Sequence, residues 1–359
     1  MHGGALSLAR QARERVAVSE PPQVLFASSM LDLATFLALA GAVVGAAPRL
    51  LYFHENQLTY PLPAGVERDL GYGVKQVAAA LAAHRVLFNS QFHRGEFLQG
   101  VRGLLAAVPD EAPLWAAEVI EAKSAVLPVG CDLRRFDAYR PGAGGAIGSD
   151  REAGRPGSGR WGEPRNGPLI VWNQRWEYDK APGDLFRGLY ALQERGLPFR
   201  LALAGANQGL PAAEFVEARR RLADHVVQWG RVERFGDYAD LLWQADIVVS
   251  TARHEFFGVA VVEALYCGCR PVLPRRLSYP EIVPPEAHRW ALYEEGEFAA
   301  ALEQAVRECS TPPADRWGRT EWQRTWVAPY DWGSVILRYD EEVWRCWETG
   351  AAAAPGLGE

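Results

Sequence analysis

The sequence predicts an α/β protein with two parallel sheets flanked by helices. Short apolar runs typical of buried strands alternate with helical segments along the chain, which favours parallel sheets. Polar clusters follow some of these runs, at the position where open α/β sheets place their ligands. The chain has 359 residues, which is long for a single core, so two domains are expected.

Nine apolar runs are predicted strands, four before residue 141 and five after residue 167. They are 23–27, 49–53, 83–88, 124–128, 169–173, 199–204, 226–229, 246–250 and 271–274. Residues 141–167 are rich in Gly, Arg, Ser and Pro and lack periodicity, which predicts a mobile linker. We therefore expect domains at 1–140 and 168–329, followed by a Trp- and Arg-rich helix at 330–349.

Two glutamates lie eight positions apart in the segment His254-Glu255-Phe-Phe257-Gly258-Val-Ala-Val-Val-Glu263. An acid on a loop, a glycine that opens a helix and a second acid in that helix can form a nucleotide-sugar site. Gly258 lets the backbone approach a phosphate, and the N–H groups behind it point at the anion. Glu263 can accept hydrogen bonds from ribose hydroxyls. An ordinary solvated helix face is the alternative, because glutamates at this spacing often arise by chance.

A second polar cluster follows the apolar run that ends at Trp172. Arg175 and Lys180 are expected on the loop leaving the carboxyl end of a buried strand. A guanidinium and an ammonium suit a diphosphate, because they stabilise the negative charge that builds up as it leaves. The alternative is an ordinary surface ion pair with a neighbouring acid, Glu177 or Asp179.

These two motifs resemble the carboxyl-terminal half of retaining glycosyltransferases with the GT-B fold. In those enzymes an Arg and Lys pair binds the donor diphosphate, and a Glu-x7-Glu element holds the sugar and ribose. Four segments, one of them the run that contains Arg175 and Lys180, together resemble the tRNA-queuosine α-mannosyltransferases, and the similarity covers residues 3–345. The segments are His54-Glu-Asn-Gln57, Asn89-Ser90, the run from Trp172 to Lys180, and Ser278-Tyr-Pro-Glu281.

The resemblance implies two Rossmann-like domains that face a central cleft, with the acceptor on the first domain and the nucleotide-sugar on the second. It implies retaining transfer of mannose from GDP-mannose to queuosine at the wobble position of a tRNA anticodon. No metal cluster is evident in the sequence, so we expect catalysis without a divalent ion or a resident cofactor. The catalytic residues would then be His54, Arg175, Lys180 and Glu255. The donor-binding residues would be Asn173, Arg175, Lys180, Glu255, Phe257, Gly258 and Glu263.

The sequence departs from the family pattern at two places. Family members usually begin with a strand, a short Gly/Ser/His loop and a helix, whereas this chain opens at Met1-His-Gly-Gly, which resembles the segment after that unit. The first domain is therefore expected to be truncated at its amino terminus. Position 174 is Gln, where many relatives have His.

For several side chains the sequence allows both a functional and a structural role. His54 follows a predicted strand and, by resemblance, would face the sugar and acceptor, but a buried structural histidine is the alternative. Asn89 and Ser90 could bind phosphate or sugar hydroxyls, or could simply begin a helix. Among the aromatic residues, Trp172, Trp176 and Tyr178 could stack on a guanine or pack in the core, and packing is the commoner role of tryptophan.

The amino-acid composition indicates which binding partners the protein can have, but it does not identify the reaction. Lys and Arg number 13 against 13 Asp and Glu in residues 1–140, and 21 against 28 in residues 168–359. A tRNA would therefore need a local arginine patch, since bulk charge does not attract it. Five cysteines without a disulfide or zinc spacing favour a reducing cytoplasm. No membrane or protein partner is inferred.

Two other functional classes fit the sequence. The same fold could use another nucleotide-sugar donor and a lipid or small-molecule acceptor, although no convincing amphipathic membrane helix is present. A protein that binds a nucleotide or tRNA without catalysis is also consistent with the expected truncation.

Overall fold

In the computed structural model of the protein, the residues described are 4–16, 20, 22–62, 65–108, 112–141, 161, 166–206, 213–310 and 316–353. They form two compact units. Unit 1 contains the chain up to Val129 together with the chain from Val335 onward, and unit 2 extends from Gly130 to Ser334. Most of the predicted linker at 141–167 lies outside the described residues.

Unit 1 contains a four-stranded parallel sheet in the order β1-β2-β3-β4. The strands are β1 (Leu25–Ser28), β2 (Arg49–Phe53), β3 (Arg85–Phe88) and β4 (Ser124–Val126). The helices before and between them are α1 (Gly4–Val16), α2 (Leu33–Ala40), α3 (Leu70–Ala82), α4 (Gln91–Ala106) and α5 (Trp115–Ala122).

The central strands of unit 1 are buried on both faces, which explains their continuous apolar sequences. Leu51 and Phe53 of β2 lie in the larger core, where the Phe53 ring packs 4.5 Å from that of Phe97. Leu50 and Tyr52 point to the opposite face, as the two-residue period of a strand requires. Both faces of the sheet therefore carry apolar side chains that other elements must bury.

Unit 2 contains a six-stranded parallel sheet in the order β10-β9-β8-β5-β6-β7. Its strands are β5 (Leu169–Trp172), β6 (Arg200–Leu203), β7 (Val226–Trp229), β8 (Ile247–Val249), β9 (Arg270–Pro274) and β10 (Leu292–Tyr293). Its helices are α6 (Pro182–Glu194), α7 (Ala213–Arg221), α8 (Phe235–Gln244), α9 (Val259–Tyr266), α10 (Tyr279–Ile282), α11 (His288–Ala291), α12 (Phe298–Cys309) and α13 (Arg316–Val327). The last helix, α14, spans Trp332–Ala353.

The parallel α/β architecture agrees with the prediction, and each predicted strand overlaps an observed one. The apolar segment after Asp32 is helical only to Ala40, because Gly41 takes a φ of 62° and a short 3-10 turn follows. The short strand β10 was not predicted. Within the described part of the chain, no helix is both long and apolar enough to cross a membrane.

Candidate functional site

The polar cluster around Arg175 and Lys180 and the segment from His254 to Glu263 come together in unit 2. One follows β5 and the other follows β8, and these strands are adjacent and parallel. The carboxyl ends of parallel neighbours lie at the same edge of the sheet, so the two loops meet there. Thr251 shows the contact directly, because its hydroxyl donates to the Lys180 carbonyl over 2.8 Å.

Lys180 is the centre of this site. Its side chain is buried, and its ammonium donates to the His254 carbonyl at 2.7 Å. Nζ also lies 3.4 Å from Glu255 Oε2 and 3.1 Å from Asp179 Oδ2. The structure therefore brings together Lys180 and Glu255, both of which were candidate site residues.

Asp179 is a buried carboxylate, only 1% exposed. Neither of its oxygens accepts a hydrogen bond from the described residues, although Oδ2 is paired with the Lys180 ammonium. Removing one member of a buried ion pair leaves the other charge uncompensated. The Lys180 ammonium therefore compensates the buried negative charge of Asp179. The sequence analysis had considered Asp179 only as a partner in a surface ion pair.

Arg175 has a different environment from Lys180. Its side chain is 53% exposed, and Nη1 lies 3.2 Å from Glu177 Oε1. This is the surface ion pair that the sequence analysis gave as the alternative. Such exposed ion pairs contribute only about 0.2–1 kcal/mol to stability. An anionic ligand could therefore replace Glu177 as the partner of Arg175 with little loss of free energy.

The loop that carries Arg175 is held close to the backbone after β6. Trp176 N donates to Ala206 O over 3.0 Å. A Cβ added at Gly205 would lie 1.7 Å from the Gln174 carbonyl oxygen. Only glycine permits this approach, so Gly205 fixes the course of the loop.

Gln174 is a buried link between three parts of unit 2. Its Nε2 donates to Ser250 Oγ over 2.9 Å, and Ser250 Oγ lies 2.7 Å from the Tyr279 hydroxyl. Tyr279 belongs to the Ser-Tyr-Pro-Glu segment, and burial raises the pKa of its phenol. These groups tie the loop after β5 to the segments that follow β8 and β9.

Gly258 precedes α9 and has a φ of 95°. An added Cβ would have ordinary contacts, so the backbone conformation is what requires glycine here. Ser278 Oγ donates to Phe257 O over 3.0 Å and fixes the turn before the helix. The Phe257 side chain is buried against Tyr330, with the ring centroids 5.2 Å apart. A ligand at this turn would therefore meet backbone groups of Phe257.

Glu263 lies on α9 and accepts a hydrogen bond from Tyr238 OH at 2.7 Å. Burial raises the pKa of Glu263, while the Tyr238 hydrogen bond and the charge of Arg135 oppose that rise. Asn173 Nδ2 in turn lies 2.9 Å from Tyr238 OH. The sequence offered no signal for Tyr238, because a tyrosine on the apolar helix α8 resembles a packing residue.

The two tryptophans near the loop pack in the core. Trp172 is fully buried, and the Trp176 ring stacks on that of Phe215 at 4.4 Å. The packing interpretation is therefore the one observed for these two tryptophans, whereas the side chain of Tyr178 is 45% exposed.

His54 lies in unit 1, just after β2, and its side chain is exposed. Asn89 Nδ2 donates to the His54 carbonyl over 3.0 Å, and Asn89 Oδ1 lies 2.8 Å from His93 Nδ1. Ser90 Oγ accepts from His93 N and caps α4. Ser90 thus begins a helix, and Asn89 anchors the loop that presents His54.

The residues after His54 form a tightly packed loop. Asn56 Oδ1 accepts from Leu58 N at 3.1 Å, as in an Asx turn. A Cβ at Gly73 would lie 2.3 Å from the Leu58 side chain, and one at Gly100 would lie 2.8 Å from it. The absence of a side chain at these glycines of α3 and α4 therefore lets Leu58 pack between the two helices. This packing holds the His-Glu-Asn-Gln loop against the rest of unit 1.

We predict that His254 makes unit 2 less stable in acid. Burial, followed by the Lys180 charge, lowers its pKa from 6.5 to about 4. The unfolded chain binds a proton near pH 6.5 and the folded chain does not. Stability is therefore full above pH 6.5 and falls as the pH drops toward 4, by up to about 1.4 kcal/mol per pH unit. Urea denaturation of wild type and His254→Gln across this range measures it, and an equally steep loss in the variant contradicts it.

Among the described residues, no group of three or more His, Cys, Asp or Glu side chains is arranged to hold a metal ion.

Two family models match the chain. The tRNA-queuosine alpha-mannosyltransferase N-terminal model matches residues 1–131, and the Glycosyl transferases group 1 model matches residues 167–311. The tRNA-queuosine alpha-mannosyltransferase of Drosophila melanogaster is 38% identical over 264 residues, which are 74% of this chain and 66% of the relative. The GDP-mannose:cellobiosyl-diphosphopolyprenol alpha-mannosyltransferase of Xanthomonas campestris is 28% identical, over 49% of this chain and 46% of the relative. The chain thus spans less than two thirds of the length of either relative.

Solved structures show the same fold. Sucrose-phosphate synthase from Thermosynechococcus elongatus aligns with a TM-score of 0.67 and 18% identity, covering 96% of this chain and 78% of that one. A glycosyltransferase from Rickettsia africae aligns with a TM-score of 0.65 and 16% identity, covering 95% and 81%. The predicted GT-B fold class is confirmed by these similarities.

Proposed function

Because the chain belongs to the tRNA-queuosine alpha-mannosyltransferase family, we propose that it transfers mannose from GDP-mannose to queuosine in tRNA, with retention at the anomeric carbon. One observation carries the chemical part of this proposal. The buried ammonium of Lys180 lies 3.4 Å from Glu255 Oε2, at the carboxyl ends of two adjacent parallel strands. A cation for a diphosphate and an acid for a sugar thus lie within reach of one ligand.

In the proposed complex, the donor diphosphate binds between Lys180 and Arg175, near the turn at Gly258. The ammonium of Lys180 is held in place before the ligand arrives, so it stabilises the leaving diphosphate without reorganisation. Arg175 exchanges Glu177 for a phosphate oxygen and contributes a forked pair of donors.

The two glutamates bind different parts of the donor. Glu255, beside Lys180, accepts from hydroxyls of the reacting sugar and is assigned to turnover. Glu263, eight residues further along, accepts from the ribose and is assigned to binding. Asn173 supports the ribose side through Tyr238, and Phe257 and Gly258 offer backbone N–H groups.

Retention follows from attack on the same face from which the diphosphate departs. The acceptor hydroxyl forms the new bond to the anomeric carbon while the bond to the diphosphate oxygen breaks. The departing oxygen takes the acceptor proton, and the cations stabilise the charge on the diphosphate. The family resemblance assigns His54, which is exposed on a loop of unit 1, to the sugar and acceptor.

The acceptor is proposed to be a hydroxyl of the cyclopentene diol of queuosine, in the single-stranded anticodon loop, where RNA is usually recognised. Support comes from the Drosophila relative, whose name specifies queuosine tRNA. The donor assignment is supported by the Xanthomonas relative, whose name specifies GDP-mannose.

We expect the chain, incubated with GDP-mannose, to mannosylate tRNA that contains queuosine and to leave the same tRNA without queuosine unmodified. Mass spectrometry of the digested tRNA measures the product. UDP-glucose and UDP-N-acetylglucosamine serve as donor controls. Equal modification of both tRNAs, or modification of a small sugar and neither tRNA, would remove the tRNA assignment.

A further inference from the structure

Three hydrogen-bonding side chains from different elements form a row that ends on Glu263. Asn173 follows β5, Tyr238 lies on α8 and Glu263 lies on α9. We propose that Tyr238 is a positioning residue for the donor, which orients Glu263 toward the ribose, and that Asn173 sets the direction of its hydroxyl. This inference rests on the proposed function, since it takes Glu263 as the ribose acceptor.

The direction of the hydrogen bonds follows from the chemistry of the groups. Asn173 Nδ2 donates to Ala260 O over 2.8 Å, which requires the amide nitrogen, rather than its oxygen, on that side. The same nitrogen lies 2.9 Å from Tyr238 OH, so the phenol oxygen accepts from it. The phenol has one hydrogen, and this hydrogen is therefore directed to Glu263.

The hydrogen bond from Tyr238 has two consequences for Glu263. At 2.7 Å it occupies Oε2 and fixes the orientation of the carboxylate. Oε1 then has the capacity to accept from a ribose hydroxyl. The bond also favours the ionised acid, against the burial that raises the Glu263 pKa.

The other titratable groups that face Glu263 keep one charge state near neutral pH. Tyr238 has its pKa raised well above the ordinary value by burial, followed by the charge of Glu263. Cys131 has its thiol pKa raised to about 12 by burial and then by Glu263, and Cys267 is also raised. Arg135 supplies a positive charge. Within this group of side chains, Glu263 is the carboxylic acid, and burial raises its pKa toward the neutral range.

The test compares Tyr238→Phe with wild type in initial-rate measurements against GDP-mannose between about pH 5 and 8. The variant keeps the ring and removes the hydroxyl. We expect the donor KM to rise about tenfold or more, as for loss of a hydrogen bond to a charged group, with kcat nearly unchanged. We also expect the acid limb of kcat/KM to move to higher pH, because the carboxylate protonates more readily.

Three further variants separate the possible outcomes. Tyr190→Phe, on α6, is the matched control and should leave KM unchanged. Glu263→Ala should raise KM by itself, and adding Tyr238→Phe to it should produce no further rise. Asn173→Ala retains the bond between the phenol and the carboxylate, so it should raise KM less than Tyr238→Phe does. Thermal unfolding identifies any variant that is not folded. If Tyr238→Phe is one of them, Asn173→Ala tests the inference, because the phenol hydrogen is then no longer confined to Glu263. We expect a smaller rise in donor KM and a smaller shift of the acid limb to higher pH, and no change in either would overturn the inference.

An unchanged KM and pH profile in folded Tyr238→Phe, with a raised KM in Glu263→Ala, would overturn the inference and leave the proposed function intact. A fall in kcat alone would overturn it too. An unchanged KM in Glu263→Ala would instead remove the ribose assignment of the proposed function.

Discussion

Lys180→Ala is expected to lower kcat roughly 10²–10³-fold, the loss typical when one group that stabilises transition-state charge is removed. The structure adds a second effect. Asp179 is buried and paired with Lys180, so the variant leaves an uncompensated charge that costs about 3–5 kcal/mol of stability. Turnover at saturating GDP-mannose and the urea midpoint measure the two effects.

Two variants distinguish catalysis from stability. Adding Asp179→Asn to Lys180→Ala removes the buried charge, so it should recover much of the urea midpoint without recovering turnover. Arg175→Ala should also reduce turnover, but it should leave stability nearly unchanged because its side chain is half exposed. Near-normal turnover in both Lys180→Ala and Arg175→Ala would show that the diphosphate assignment is wrong.

Gly205→Ala is expected to cause a large loss of stability, of at least about 3 kcal/mol, because the new methyl group would overlap the backbone carbonyl of Gln174. The loop that carries Arg175 would have to move, so donor binding should weaken as well. The urea midpoint and the donor KM measure the two changes.

Gly103→Ala is the matched control, since Gly103 lies within α4 and an added Cβ meets no atom within 4 Å. It should raise stability by about 0.5–1 kcal/mol, as alanine does in a helix. If Gly205→Ala behaved like this control, the close approach between the two loops would not exist in solution.

The main strands could be predicted because parallel strands buried on both faces have continuous apolar sequences. Strand β10 has two residues, Leu292 and Tyr293, which is too short to produce a pattern. The end of α2 at Ala40 depends on the single residue Gly41, inside an apolar segment that otherwise continues. Sequence periodicity does not resolve such a local change of conformation.

The candidate site was predictable in its residue types but less so in its geometry. Arg175 and Lys180 follow the same strand, yet one is exposed and the other buried. The difference arises at the 3-10 turn Tyr178–Lys180, which ends at Ala181 with a φ of 46°. Nothing about an alanine signals that conformation. Tyr238 was not predicted as a site residue because it contacts Glu263 across two different helices, and the sequence pattern of one helix does not indicate which residues of another it contacts.

Unit 1 is assembled from two stretches of chain that are separated by all of unit 2. Val335 and Cys346 of α14 pack with Leu50, Tyr52 and Leu87 on one face of its sheet. A ribosome synthesises α14 after unit 2, so that face remains uncovered while the whole of unit 2 is synthesised and can fold. We therefore expect the first unit to be the later one to mature. Until then its uncovered apolar surface is a target for chaperones and a source of aggregation.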